Sequence, residues 1–260
     1  MMARCSHLAL VGTVCLVLLG GCKQQVRDAD RPATAREFPR AARPVSTVVS
    51  AQFSTEVERD NHKEAQTVMD LAGIGAGSSV ADIGAGEGYY TVRLSARVGA
   101  KGRVLAQDID GEAMKRLGRR VEHDRLDNVS IIQGESDDPR LPANSFDQIM
   151  LVHMYHEVTE PYAFLWRMRG ALRTNGRANG RTNGRVVVVD LDRQTDSHGI
   201  PPALLFCEFE STGFRLTQFV RKPEIIGYYA EFEAAGQRPE PSQIRPCRIE
   251  GGQVVRNQGS

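Results

Sequence analysis

The sequence predicts an α/β fold in which a mostly parallel sheet is covered by helices on both faces. From residue 80 onward, short apolar runs alternate with amphipathic segments, and such strand–helix alternation is typical of parallel sheets. The first apolar run, residues 80–83, leads directly into a glycine-rich turn and a helix start. Because glycine has no Cβ and a helix start offers free N–H groups, this segment predicts a cradle for a nucleotide-type cofactor.

Seven strands are predicted, which one domain of a 260-residue chain can accommodate. They cover residues 80–83, 104–107, 129–133, 146–152, 186–191, 214–220 and 228–232. Helices are expected over residues 90–98, 112–123, 162–172 and 202–211, with further helical character over residues 55–71. Thr55 and Glu58 have the spacing of a capping box at the start of that N-terminal segment.

The overall composition is that of an ordinary globular protein, with 41% hydrophobic and 25% charged residues. The formal net charge is +1, which argues against a nucleic-acid binder or a polybasic peripheral membrane protein. Three near-identical tetrapeptides fill residues 174–185. A surface loop absorbs added length at little cost in free energy, so this repeat predicts an expanded loop.

The N-terminus has the pattern of an export signal. Residues 1–7 carry one cation, Arg4, and residues 8–19 are almost purely apolar. This run is too short to span a bilayer, so it predicts a secretory signal. The small residues 20–21 followed by Cys22 resemble a bacterial lipobox, which implies cleavage before Cys22 and lipidation of its thiol; a plain secretory signal or an uncleaved anchor is the alternative.

The expected organisation is therefore a signal peptide over residues 1–21, a flexible proline-containing tether over residues 22–53 and one domain over residues 54–260. The lipobox implies a membrane-anchored lipoprotein that faces the periplasm. Cys207 and Cys247 would be the remaining cysteines. Export makes a disulfide between them possible, and the sequence leaves their pairing open.

The glycine-rich turn has the order D-I-G-A-G-E-G over residues 82–88. It differs from the dinucleotide fingerprint G-x-G-x-x-G, and no Lys-Ser/Thr pair follows to make a P-loop. Asp82 and Glu87 would repel a pyrophosphate, but they tolerate a zwitterionic amino acid that carries a sulfonium. The residues expected to hold the cofactor here are Asp82, Gly84, Ala85, Gly86 and Gly88.

A second cofactor element ends the next predicted strand. Asp108 lies 20 residues after Gly88, where a carboxylate can accept hydrogen bonds from a ribose diol. Ile109 would lie against the adenine, and Asp110 is the expected helix cap.

A third, acidic loop follows the next strand. Glu135 is the first candidate acceptor for an adenine amino group, Asp137 is the second, and Ser136 lies between them. A solvated acidic loop without a ligand is the alternative for this segment.

In order and spacing, the motifs at residues 82–88, 108, 134–135, 141–142 and 145–147 resemble those of the class I S-adenosylmethionine-dependent methyltransferases. The resemblance covers residues 55–236. It implies methyl transfer with S-adenosyl-L-methionine as cofactor, and a Rossmann-like, doubly wound, seven-stranded sheet whose last strand is antiparallel. It also implies that the glycines cradle the methionyl part.

The end of the fourth predicted strand is the expected acceptor side, because the resemblance implies that it faces the reactive methyl group. No Asn/Asp-Pro-Pro-aromatic motif occurs there, which disfavours methylation of nucleic-acid bases. His153, Tyr155 and His156 are the candidate catalytic residues, able to orient an acceptor or take its proton. Packing of Tyr155 and His156 at the strand–helix corner is the alternative.

No metal is expected, because the order His-x-x-His-Glu from His153 to Glu157 is not that of a zincin. The leading functional prediction is thus a methyltransferase with a small-molecule acceptor. The alternatives are a non-catalytic, membrane-tethered binding module on the same fold, and an aminopropyl-transferring or nicotinamide-dependent enzyme. An exported domain conflicts with a cofactor that is made in the cytosol, and the sequence leaves the oligomeric state open.

Overall fold

A seven-stranded sheet lies at the centre of the computed structural model, which describes residues 28–46, 55–174 and 184–256. Its strands are β1 Ser79–Ile83, β2 Arg103–Asp108, β3 Val129–Gln133, β4 Gln148–Val152, β5 Arg185–Asp190, β6 Phe214–Val220 and β7 Tyr228–Ala234. The strand order is β3-β2-β1-β4-β5-β7-β6. β1 to β5 pair in parallel, and β7 runs antiparallel to both of its neighbours, β5 and β6. The predicted fold class is confirmed.

Helices pack on both faces of this sheet. They are α1 Glu56–Asn61, α2 Glu64–Leu71, α3 Tyr89–Val98, α4 Gly111–Asp124, α5 Pro161–Arg169 and α6 Pro202–Ser211. The predicted capping box is present, since the Thr55 side chain accepts from the Glu58 N–H and the Glu58 carboxylate accepts from the Thr55 N–H. The helical segment predicted over residues 55–71 is broken at Lys63, which has a left-handed φ of 58°. No glycine or proline marks this break in the sequence.

The two largest apolar clusters among the described residues lie on opposite faces of the sheet. Along β5, Val186 and Val188 belong to the cluster with α5 and α6, while Val187 and Val189 belong to the cluster with α2 and α3. All four valines are fully buried. Such a continuous apolar run is expected of a central strand that is covered on both faces.

The domain starts earlier than the sequence predicted. Residues 1–31 form a separate unit, whose described part contains a short 3-10 turn, Asp28–Asp30, and the main unit begins at Pro32. Within the main unit, Phe38 is 2% exposed and packs with Tyr162 and Ile244. The tether predicted over residues 22–53 is therefore folded in its described part from Pro32 onward. Its few apolar residues have no helical or strand period, so this packing could not be predicted from them.

The signal peptide over residues 1–21, Cys22 and most of the repeat over residues 174–185 lie outside the described residues. Among the residues that are described, none belongs to a helix with the length and apolarity needed to cross a membrane.

A C-terminal hairpin that the sequence did not predict follows the sheet. It consists of β8 Cys247–Glu250 and β9 Gln253–Arg256. Cys247 forms a disulfide with Cys207 of α6, across a sequence separation of 40 residues. The bond joins the hairpin to the helix that covers β6.

We expect the double variant Cys207→Ser, Cys247→Ser to lose about 2–4 kcal/mol of unfolding free energy, because the cross-link restricts the unfolded chain. Urea denaturation of the full chain measures this loss. The neighbouring variant Ser211→Ala keeps the cross-link and serves as the control. Adding a reductant should lower the denaturation midpoint of the natural chain but not that of the double variant. Equal midpoints for the natural chain with and without reductant would contradict the prediction.

Candidate cofactor and active site

A cavity of about 530 Å³ opens at the carboxyl ends of β1, β2 and β4. This edge of a parallel α/β sheet is where ligands bind, since the strand order changes direction there. The glycine-rich turn after β1 forms the floor of the cavity, and the segments after β2 and β3 form one side. The segment after β4 and helix α1 form the other side.

The turn between β1 and α3 requires its glycines. Gly84 and Gly88 have left-handed φ angles of 68° and 88°. A Cβ on Gly84 would lie 2.8 Å from Cγ of Met154, and one on Gly88 would lie 2.5 Å from Cδ1 of Leu117. A Cβ on Gly86 would meet nothing within 4 Å, so its backbone is open to the cavity that it lines.

Asp108 joins the ends of the first two strands. Its Oδ2 accepts from the Gly86 N–H at 2.8 Å, and its Oδ1 accepts from the Asp110 N–H at 3.0 Å. Each carboxylate oxygen keeps a second lone pair for a ligand. Ile109 beside it also lines the cavity and is 45% exposed. The structure thus brings the predicted ribose and adenine residues together, and their roles in binding stay predictions.

Asp82 lies behind the turn rather than in the cavity. It is 3% exposed, and its carboxylate accepts from the Thr91 hydroxyl at 2.6 Å. Burial raises the pKa of Asp82 to about 6. The hydrogen bond from Thr91 acts in the opposite direction and lowers this pKa, whereas the negative charge of Asp108 adds to the rise. Direct contact between Asp82 and a cofactor, as the sequence predicted, does not fit this position. Its observed contact instead fixes the start of α3.

The acidic loop after β3 divides into a cavity-lining part and a structural part. Glu135 and Ser136, both expected to bind the cofactor, line the cavity, and Ala85 does so from the glycine-rich turn. Asp137, the second candidate for adenine, is 2% exposed. Its carboxylate is held by Arg167 and by the Thr34 hydroxyl, each at 2.7 Å. Asp137 therefore anchors the N-terminal segment and α5, and it is not available to a ligand.

His153, directly after β4, is the one predicted catalytic residue that lines the cavity. Its φ is 54°, and its N–H donates to the Val189 carbonyl at 2.7 Å. Its Nε2 lies 3.2 Å from the Glu64 carboxylate. The strained backbone and this contact fix the ring at the cavity wall, beside Met154.

Glu64, which the sequence did not single out, is a fully buried carboxylate. It also accepts from Arg59 at 2.5 Å and from the Tyr90 hydroxyl at 3.1 Å. Burial alone would raise the pKa of Glu64, but the contacts with His153 and Arg59 outweigh it and lower the pKa to about 2. The group is therefore a permanent anion beneath the cavity.

Tyr155 and His156 lie in the core and not in the cavity. Both are fully buried within a short 3-10 turn, Tyr155–Glu157, and neither lines the cavity. The Tyr155 hydroxyl donates to Glu208 at 2.7 Å, and His156 Nδ1 lies 2.9 Å from Asp190. The predicted catalytic positions of these two residues are not supported, and the packing alternative describes them.

Sequence reasoning also missed cavity residues on α1 and α3. Arg59 lines the cavity, and its guanidinium lies 3.9 Å from the centroid of the Tyr89 ring, which lines it too. The pair forms one wall of the acceptor side. Neither residue belongs to a motif that would have assigned it to the site.

Comparison with known proteins agrees with this geometry. Residues 80–176 match a family model described as a methyltransferase domain. The matched segment contains the glycine-rich turn, Asp108 and Glu135. It also contains the segment after β4, so it builds all of the cavity lining except the residues that precede β1.

The curated relatives are quinone-pathway enzymes by name. The ubiquinone/menaquinone biosynthesis C-methyltransferase UbiE of Hahella chejuensis is 34% identical over 42% of this chain and 44% of its own length. The UbiE of Idiomarina loihiensis is 34% identical over 49% of this chain and 51% of its own length. The chain thus spans about half the length of the curated relatives it matches.

Among solved structures, a SAM-dependent methyltransferase from Aquifex aeolicus superposes with a TM-score of 0.54. It is 22% identical, and the match covers 69% of this chain and 97% of that one. This similarity establishes the shared fold.

We expect Glu64→Gln to remove a pH-dependent part of the stability. A carboxylate whose pKa falls from 4.5 to about 2 on folding stabilises the fold above pH 4.5. That contribution is lost as the pH falls from 4.5 towards 2, and it amounts to about 3 kcal/mol. Urea unfolding at several pH values between 7 and 3 measures it.

The matched control for this experiment is Glu112→Gln, which removes an exposed carboxylate paired with Lys115. The natural chain and this control should lose stability more steeply below pH 4.5 than Glu64→Gln does. Parallel curves for all three proteins would refute the assigned role of Glu64.

Proposed function

We propose that this chain is an S-adenosyl-L-methionine-dependent methyltransferase that acts on a small-molecule acceptor. The observation that carries the proposal is the contact between the Gly86 N–H and the Asp108 carboxylate, beside the exposed Ile109. This contact places an open backbone, a diol acceptor and an apolar surface side by side in one cavity. The match of residues 80–176 to a methyltransferase domain supports it.

The residues present fit this cofactor. Asp108 would accept from the ribose hydroxyls, Ile109 would cover one adenine face, and Glu135 would accept from the adenine amino group. The backbone at Gly84 and Gly86 would approach the methionyl part closely, because no side chain intervenes. When bound, the cofactor supplies a methyl group on a positively charged sulfur.

The work of the protein is then chiefly to position the reactants. Holding donor and acceptor in line is worth up to roughly 7–11 kcal/mol of the barrier. His153, held by Glu64, lies at the cavity wall and would orient the acceptor or take its proton. Arg59 and Tyr89, which also line the cavity, would form a further contact surface for the acceptor. Phenols and hydroquinones belong in an acceptor screen, because the curated relatives are named as quinone-biosynthesis C-methyltransferases.

We expect Asp108→Asn to weaken binding of S-adenosyl-L-methionine about 10-fold or more, because a charged hydrogen-bond acceptor is lost. Calorimetric titration of the full chain measures this. Glu112→Gln, in the first turn of the adjacent helix α4 and outside the cavity lining, is the control and should bind like the natural chain. Equal affinities for all three proteins would remove the proposed cofactor site.

Catalysis is tested separately, by following S-adenosylhomocysteine formation across the acceptor screen. Product formation that requires both Asp108 and His153 would support an enzyme. Tight cofactor binding with no product from any acceptor would favour the non-catalytic binding module instead. Tighter binding of NAD or decarboxylated S-adenosylmethionine would favour the other enzyme classes.

We further propose that the chain is an exported lipoprotein, attached to a membrane through Cys22. Its support comes from the signal-like residues 1–21 and from the Cys207–Cys247 disulfide. Disulfides persist in oxidising compartments and are rare in the cytosol. The cofactor, however, is a cytosolic metabolite, so an active enzyme in that location needs a supply of it across the membrane.

Expression of the full chain in a bacterium should give a mature protein whose first residue is an acylated Cys22. Intact-protein mass spectrometry of the membrane fraction detects the added lipid mass. Cys22→Ser should leave the protein unlipidated, and Cys15→Ser, within the predicted signal, should be processed normally. An unmodified N-terminus in the natural chain would overturn the lipoprotein proposal.

A further inference from the structure

Three potential metal ligands lie together beside the cavity. His156 and Glu157 belong to the 3-10 turn after β4, and His198 belongs to the segment between β5 and α6. One ligand atom from each side chain lies within 4.8 Å of the other two. We propose that His156, Glu157 and His198 bind a divalent transition-metal ion such as Zn²⁺.

The strongest sign of a ligand is the Nε2 atom of His156. The side chain is 1% exposed, and among the described residues this nitrogen has no hydrogen-bond partner. Buried polar atoms in proteins are almost always satisfied, so an unsatisfied one calls for an explanation. A metal bond to Nε2 would supply the missing interaction.

The opposite nitrogen of His156 is already arranged for metal binding. Nδ1 lies 2.9 Å and 3.1 Å from the two oxygens of the fully buried Asp190. Asp190 is itself oriented by the Leu191 N–H at 2.8 Å. A carboxylate that accepts from Nδ1–H leaves the lone pair on Nε2, and metal-binding histidines commonly have such a partner.

The distances between the candidate ligand atoms need only a small adjustment to fit a metal ion. His156 Nε2 lies 3.9 Å from Oε1 of Glu157. The His156 and His198 rings are nearly perpendicular, with centroids 5.8 Å apart. Ligand atoms of a tetrahedral zinc site lie about 3.3 Å apart, given bond lengths of about 2 Å. The Glu157 side chain is 19% exposed, against 1% for His156, so its carboxylate is the group that would move to bind the ion.

The segment that carries His198 is held in place by two hydrogen bonds. The His198 N–H donates to the Ser46 hydroxyl at 3.1 Å, and that hydroxyl donates to the Thr195 carbonyl at 2.5 Å. The folded N-terminal segment thus fixes the third ligand. Arg43 of the same segment, 2.8 Å from Glu208, donates to the His156 carbonyl and so fixes the turn from the other side.

The ligand set selects the class of metal. Two imidazoles and one carboxylate suit Zn²⁺, Fe²⁺ or Ni²⁺, whereas Mg²⁺ and Ca²⁺ prefer oxygen ligands alone. Three protein ligands leave one coordination position open, as in catalytic zinc sites. Glu157 also lines the cavity, so this site adjoins the proposed active site.

The sequence could not indicate this site, and it predicted no metal. The nearby His153 is engaged with Glu64, and the third ligand, His198, lies 42 residues beyond His156. No metal-binding motif has that spacing. Only the fold brings the two histidines together.

The test uses the full chain without a histidine tag, after treatment with a chelator. Calorimetric titration with Zn²⁺ should show one equivalent bound with a dissociation constant of about 1 μM or tighter. Co²⁺ should give the visible absorption of a four-coordinate site. His198→Ala and Glu157→Gln should each weaken Zn²⁺ binding roughly 100-fold or more, and Asp190→Asn about 10-fold to 100-fold.

The matched control is His123→Ala, which removes a surface histidine that is 87% exposed. It should bind Zn²⁺ like the natural chain. Circular dichroism checks that the variants fold, and Glu157→Gln decides the question if His198→Ala does not fold. Absence of stoichiometric Zn²⁺ and Co²⁺ binding would overturn the proposal. So would equal binding by the natural chain and both ligand variants.

Discussion

The carboxylate of Glu64 lies in the core, where groups from three separate parts of the chain contact it. Arg59 reaches it from α1, Tyr90 from α3 and His153 from the end of β4. Removing an ion from water costs several kcal/mol, so the carboxylate is stable there only because a cation and hydrogen bonds surround it. The same contacts attach the N-terminal helices to α3 and to the end of β4. The acceptor side therefore depends on one buried charge.

The cofactor side depends instead on backbone shape. The left-handed glycines of the β1–α3 turn leave the main chain bare, and Asp108 holds the Gly86 N–H in place. On this side, the charged group is the Asp108 carboxylate at the rim of the cavity. The apolar surface beside it, Ile109, is open to the cavity. The two halves of the cavity are thus built differently, one from local turn geometry and the other from contacts between distant residues.

That difference explains how much could be predicted from the sequence. The strands, most helices, the glycine turn and the position of Asp108 follow from local periodicity and spacing, and they were predicted. The Glu64 cluster, the Cys207–Cys247 bond and the approach of His198 to His156 join residues that are distant in sequence. Tyr155 and His156 were placed in the cavity because the sequence shows only their distance from β4. They instead lie in a buried 3-10 turn, and no residue in that turn marks its burial.

The disulfide encloses both β6 and β7, the two strands that extend the sheet beyond β5. A newly synthesised chain in a reducing cytosol lacks this bond, and with it about 2–4 kcal/mol of stability. If the chain is exported as proposed, the precursor is the weaker-folded form, which suits passage across a membrane in an extended state. Oxidation on the far side of the membrane then forms the disulfide and completes the fold. Maturation of the protein would therefore depend on its export.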